Sequence, residues 1–375
     1  MRFTLGFTRL FVGVLFIFSG LIKANDPMGL SYKMQEFFEI WGMDFLNDYT
    51  LAFSILMIAF EIIAGVAVLV GWQFQLFSWM LFLLIIFFTF LTGYAVFSGK
   101  IKECGCFGDC IKLQANESFA KDLVLLVMTG FLLYKRNSIN SFFPKNLSAG
   151  ILLLITVASF GMQFYVLRNL PIVDCLPYKV GLTIQEQMKI PSGAVPDSSV
   201  ITFVYSRQGK EVEFDAEHFP ADFSDSLYTF VRRYDKLIRE GNAKPPIKDF
   251  VIISPTGNDT TQSVLNDPET QWILFAKSFD SQHEDWVNDV KKYATMASQN
   301  NIRFMAVTSD AEGLTQLFAS NDINLPIMKG DLVAIKTAAR SNPTLYHLEK
   351  GKIIAKYGKA QLKGLDSQFK GKQQD

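Results

Sequence analysis

Cysteine is scarce in this chain of 375 residues, and all of it lies in the first half: only four occur and none follows Cys175. The carboxy-terminal half therefore holds no thiol and cannot carry out thiol exchange by itself. Histidine is scarcer still. His218, His283 and His347 are scattered without the spacing of metal ligands, so no metal site is expected. Lys+Arg and Asp+Glu both number 36, which removes the basic surplus of a nucleic-acid binder. No small-x-small cleavage motif follows the first apolar run, so residues 5–22 are expected to stay as an anchor rather than leave as a signal. Internal repeats and low-complexity segments are absent too.

What is present is long and apolar. After residues 5–22 come runs at 51–70, 76–97, 119–134 and 147–167, each near the roughly 20 residues a helix needs to cross a bilayer. The fourth is the weakest because Lys121 and Asp122 interrupt its start. The reading is four or five spans, with five favoured. Trp72, Trp79 and Tyr94 flank the third run, as interfacial aromatics do. With a cytoplasmic amino terminus, five crossings put the loop after the third span and everything after residue 167 outside. The denser Lys/Arg on the short inside segments leans the same way.

That loop reads Glu103-Cys104-Gly105-Cys106-Phe107-Gly108-Asp109-Cys110, three of the four cysteines within seven residues. Thiolates are the nucleophiles of disulfide exchange, so clustered thiols facing an oxidising space suit a redox relay. They equally suit structural disulfides, and four cysteines allow three connectivities; metal binding is a third reading, against which the lack of nearby histidine and the oxidising side count. Cys104 with Cys106 closes only a small ring; Cys110 with Cys175 offers a longer one. Glu61 lies mid-span, where a carboxylate is costly unless neutral, paired or hydrated. Its alternatives are a protonated group hydrogen-bonding between helices and a proton or quinone site. Arg9, Lys23, Lys121 and Asp122 sit near span ends, where basic side chains snorkel to the interface.

Past residue 167 the composition changes. Residues 168–196 carry Cys175 and several prolines and read as a linker. Beyond them, residues 200–205 and 212–214 predict a hairpin, 226–238 a helix, 250–253 and 272–276 strands, and 284–298 a helix. A strand at 302–308, a helix at 313–319 and a hairpin over 344–348 and 352–356 complete an α/β layer that should fold from about Pro196 onward.

Two stretches carry family resemblance. "RLFVGVLFIFSGLIK", "ECGCFGDC" after the third span and "SFAKDLVLL" leading into the fourth resemble the MauE branch of the DoxX superfamily, over residues 1–135. The resemblance implies an inner-membrane helical bundle linked with periplasmic redox and methylamine-dehydrogenase maturation. "RSNPTLYHLEKGKII", from Arg340 to Ile354, resembles the end of a thioredoxin fold, with Pro343 in the place of its cis-proline. The position that would hold that fold's dithiol, about Phe279-Asp280-Ser281-Gln282, contains no cysteine.

The expected fold class is therefore multi-domain: an α-helical transmembrane bundle of four or five spans followed by a soluble α/β thioredoxin-like domain. The bundle is placed at 1–135, a fifth helix at 136–170, a linker at 171–196 and an extracytoplasmic domain at 197–375. Cys104, Cys106, Cys110 and Cys175 are the candidate catalytic residues and Glu61 the candidate cofactor-binding residue, with a quinone as the candidate cofactor. Expected partners are the lipid bilayer and a periplasmic client with thiols or disulfides. The chain is read either as a membrane thiol-disulfide oxidoreductase or as a non-catalytic scaffold whose cysteines staple the loop.

Overall fold

The structure, a computed structural model, describes residues 2–101, 104–196, 198–216, 218–224, 226–239, 241–277 and 285–369. Its first part is a bundle of α1 (Arg2–Ala24), α2 (Pro27–Ile40), α3 (Thr50–Val70), α4 (Phe74–Ser98), α5 (Ala115–Tyr134) and α6 (Lys145–Arg168). Asp26 separates the first two: its carboxylate accepts from Gly29 N–H at 3.2 Å, with Pro27 opening α2. Helices α1 and α3 approach closely because glycines face each other. A Cβ on Gly65 would lie 2.9 Å from the Gly13 carbonyl oxygen.

The ends of the bundle fix its direction. At one end Ser54 donates to the Pro27 carbonyl and Cys110 is bonded to Cys175. At the other, Arg9 donates to the Val68 and Leu69 carbonyls at 2.7 Å and Phe142 N–H to Val70. Five long helices thus run end to end in alternating directions, with α2 lying across one end. Among the described residues four segments are long and apolar enough to cross a membrane: Phe3–Ala24, Asp44–Val70, Phe74–Ser98 and Lys145–Arg168. Helix α5 falls short by composition, carrying Glu117, Lys121 and Asp122 in its first turns. Phe7, Leu10, Val14, Leu83, Phe90, Leu153 and Val157 point outward, a belt suited to lipid and not to water. This is a multi-pass membrane protein.

The second part is built on a six-stranded sheet of order β4-β7-β6-β5-β8-β9. The strands are β4 (Ile252–Ile253), β5 (Thr270–Ala276), β6 (Arg303–Thr308), β7 (Ile327–Gly330), β8 (Thr344–Glu349) and β9 (Lys352–Gly358). Strands β5, β6 and β7 are parallel neighbours, while β8 and β9 return antiparallel on the other side of β5. Within β5, residues 272–276 are an unbroken apolar run because both faces are covered. Trp272 and Leu274 pack under α7 (Val287–Gln299) and α8 (Ala311–Ser320), and Ile273 and Phe275 under α9 (Leu332–Ala338). The Asn342–Pro343 peptide ahead of β8 is cis. This is the thioredoxin-like arrangement.

A separate antiparallel sheet, order β2-β1-β3, precedes it: β1 (Ser198–Arg207), β2 (Lys210–Asp215) and β3 (Thr229–Arg239). The helix expected over 226–238 is therefore a strand. Thr229, Phe230, Val231 and Tyr234 favour strands, and pairing with β1 sets Phe230 against Tyr205, ring centroids 5.5 Å apart. The expected linker is also partly core. Tyr178 and Ile184 are buried at 2% and 0% exposure, and Ile184 N–H donates to the Gly351 carbonyl, so the domain begins well before residue 196. A helix expected from residue 284 begins, among the described residues, at Val287.

Candidate functional site

The turn between α4 and α5 folds back onto the bundle end. Gly105 and Gly108 take positive φ of 68° and 57°, a backbone that L side chains rarely adopt, and this coils 104–110 into a compact loop. Phe107 buries its ring near Phe18 of α1 and the Nζ of Lys121. Cys110 pairs with Cys175 across 65 residues, and both are only half-buried. Cys104 and Cys106 are unpaired thiols, Cys104 buried and Cys106 half-buried. Burial pushes both thiols up, Cys104 to about 12 and Cys106 in the same direction against nearby Lys121, so each holds its proton at neutral pH.

Two spaces meet at Cys106. The larger is an apolar cavity of about 430 Å³ walled by α2, α3 and α4, among them Phe37, Trp41, Met57, Phe60, Phe87 and Leu91. Cys104 and Cys106 lie at its polar end with Lys23 and Thr92. The smaller is a void of about 20 Å³ lined by Ser19, Lys23, Glu61, Cys106 and Lys121. Lys23 and Glu61 form a buried ion pair at 2.6 Å, exposed at 3% and 1%. The Ser19 hydroxyl lies 3.1 Å from both Glu61 Oε2 and the Cys106 carbonyl oxygen, joining the pair to the cysteine loop. On the far side Lys121 pairs with Asp122 at 2.6 Å, and Thr92 donates to the same carboxylate at 3.1 Å.

Above this end docks the cis-proline edge of the thioredoxin-like domain. Arg340 pairs with Asp26 (Nε–Oδ2 2.9 Å) and with Asp109 of the cysteine loop. Tyr32 of α2 presents its ring to Arg340, Lys277 and Lys336, 5.1–5.6 Å from the centroid. Lys277 Nζ donates to the Tyr32 hydroxyl at 2.9 Å, and its backbone N–H donates to Asn342 Oδ1. Burial and the neighbouring Arg340 lower the Lys277 pKa to about 7.

The structure thus brings Cys104, Cys106 and Glu61 to one place, and Cys110 with Cys175 beside it. Lys23 is not snorkelling, as its position near a span end suggested; it pairs with Glu61, which also accepts a hydrogen bond across helices from Ser19. The Phe279 to Gln282 position, expected to stand where a dithiol would be, lies outside the described residues. Asp26, Tyr32 and Lys277 carried no motif that marked them, and Ser19 and Asp109 lay inside the quoted stretches without being singled out. The one sequence signal was Arg340, three residues before the expected cis-proline.

No curated protein matches the chain. Among solved structures, a thiol:disulfide interchange protein from Bacteroides sp. aligns at 13% identity and TM-score 0.27, covering 33% of this chain and 88% of that one. Arabidopsis thaliana ScoI with copper bound aligns at 17% identity and TM-score 0.23, covering 32% and 93%. Residues 199–240, the three-stranded sheet, match a model described only as Domain of unknown function (DUF8463). Residues 1–135, from α1 to the end of α5, match the family model described as Methylamine utilisation protein MauE.

Proposed function

We propose that the chain is a thiol-disulfide redox component of the inner membrane that relays electrons between thiols outside the cytoplasm and the membrane. One observation carries this reading: a half-exposed disulfide, Cys110–Cys175, adjoins two unpaired thiols, Cys104 and Cys106, in a loop that closes an apolar cavity. A client thiolate attacks one sulfur of the half-buried disulfide and ends oxidised, leaving Cys110 and Cys175 as thiols. Once a membrane acceptor has oxidised Cys104 and Cys106 to a disulfide, exchange restores Cys110–Cys175 and passes the electrons inward. The thioredoxin-like domain contributes no cysteine; its cis-proline edge holds α2 and the cysteine loop in place. The charge balance of the loops supports placing this end outside, and the MauE match supports a part in methylamine utilisation.

A scaffold reading has its own observation. Cys110–Cys175 and Arg340–Asp109 both tie the loop to the soluble domain, as staples would. Non-reducing gels of cells carrying wild type, Cys104→Ser, Cys106→Ser or Cys110→Ser, alkylated before lysis, separate the two. A relay leaves a mixed disulfide with a second protein in at least one variant at undiminished abundance. No adduct anywhere, with lower abundance of Cys110→Ser, gives the case to the scaffold.

A further inference from the structure

The cavity beside Cys104 and Cys106 opens in a particular direction. Phe53, Leu56 and Phe87 line it, yet they are also 40%, 58% and 43% exposed on the outer surfaces of α3 and α4. Its mouth therefore faces the hydrocarbon of the bilayer, so what reaches it arrives dissolved in lipid. Its volume of about 430 Å³ falls within the 300–1,000 Å³ of small-molecule sites. Aromatic walls suit a flat ring, and the polar end offers two thiols, Lys23 and Thr92. An acyl tail would match the walls. Lys23 and Thr92 are already held by Glu61 and Asp122, so what separates a quinone from an acyl tail here is the two thiols, which an acyl chain cannot engage. A planar, lipid-soluble acceptor with two oxygens matches both walls and thiols.

Building on the redox reading above, we infer that this cavity takes the ring of a lipid-soluble quinone and that the Cys104/Cys106 pair reduces it. The two S–H bonds break and one S–S bond forms between the two sulfurs. Both electrons and both protons pass to the quinone oxygens, and hydroquinone leaves to the lipid. The disulfide returns to dithiol by exchange with the Cys110/Cys175 pair, which client thiols reduce, so the client ends oxidised. Gly105, with positive φ, lies between the two cysteines and gives the backbone the freedom to close the pair. Cys106 is also the one cysteine that lines both spaces, with Lys23 beside it in each. The Lys23–Glu61 pair is thereby placed to carry a thiol proton from sulfur to a quinone oxygen. Burial keeps both thiols protonated at neutral pH, so each sulfur must release its proton as it reacts.

The test uses full-length protein in lipid nanodiscs, reduced, desalted and mixed anaerobically with ubiquinone-1. Hydroquinone is read by absorbance, and Cys104 and Cys106 thiols are counted by mass spectrometry. Fully reduced protein carries four thiols, so two hydroquinones should form per chain as both pairs become disulfides, whereas Cys104→Ser and Cys106→Ser should form none. Leu56→Trp, at the lipid-facing mouth, should slow reduction about tenfold with the fold intact by thermal midpoint. Val157→Trp, on the outer face of α6, should leave the rate unchanged. A parallel arm measures thiol exchange with a water-soluble peptide disulfide. Exchange without quinone reduction, or reduction unaffected by Leu56→Trp, overturns the quinone inference and leaves the relay standing. Absence of both reactions overturns both.

Discussion

At the scale of single residues, the buried Lys23–Glu61 pair is the feature whose cost most needs an account. Two charges removed from water lose several kcal/mol each in hydration, and their attraction recovers this only with good geometry and further hydrogen bonds. The 2.6 Å contact and the Ser19 hydroxyl supply both. Breaking the pair leaves one charge stranded, so Glu61→Leu alone should destabilise the bundle by about 3–5 kcal/mol. Lys23→Met combined with Glu61→Leu should recover most of that loss, since apolar replacement of a buried pair is often neutral. Thermal melts of the single and double variants in nanodiscs check this. If the double variant is as unstable as the single, the pair is holding the fold by more than its own charges. A double variant that is stable yet slow toward quinone would assign the pair to proton handling.

At the scale of elements, the segment leading into the soluble domain behaves as part of its sheet. Gly181 N–H donates to the Ile353 carbonyl and Ile353 N–H to that of Leu182, so 181–184 lies along the outer edge of β9. Tyr178 meets Tyr346 and Phe250 in the core beneath it. A soluble fragment starting near residue 176 should fold, whereas one starting at 197 loses two buried side chains worth about 1.5–3 kcal/mol each. Denaturant midpoints of the two fragments test this. Equal midpoints would show that the edge segment adds nothing to the domain. The strand at β3 belongs to the same scale: its residues fit either a helix or a strand locally, and only the β1 edge selects the strand.

For the whole molecule, the decisive contact is the docking of the cis-proline edge on α2 and the cysteine loop. Lys277 lies in that contact facing Tyr32, Arg340, Lys336 and Asp26, with its pKa lowered to about 7 from 10.5. A lowered lysine favours the neutral form in the docked state. Below about pH 7 the docked and separated states both hold the proton and its burial cost is present in full. As pH rises from about 7 toward 10.5 the docked state releases the proton first, so docking strengthens. Asp26, whose pKa burial raises, acts in the opposite sense, so comparison with Lys277→Met isolates the lysine. The thermal midpoint of the soluble domain within the full chain should climb over this window in wild type and stay flatter in Lys277→Met. Identical slopes would remove Lys277 from the docking contact.

Sequence alone determined the division into an apolar helical half and an α/β half, because hydrophobic run length and strand alternation are local properties of the chain. It also located the cysteine loop, Glu61 and the cis-proline edge, since each is marked by residue type or motif within a few positions. It could not choose among cysteine pairings, because Cys110 and Cys175 are joined only by the way α5 and α6 bring their ends together. Nor could it find Lys23 for Glu61 or Arg340 for Asp109, 38 and 231 residues apart. Such partners are set by helix packing and domain docking, which no local pattern encodes. The cavity is the clearest case: its walls come from three helices and a loop, each apolar for its own reasons. Only their arrangement leaves a lipid-facing space with two thiols at its end.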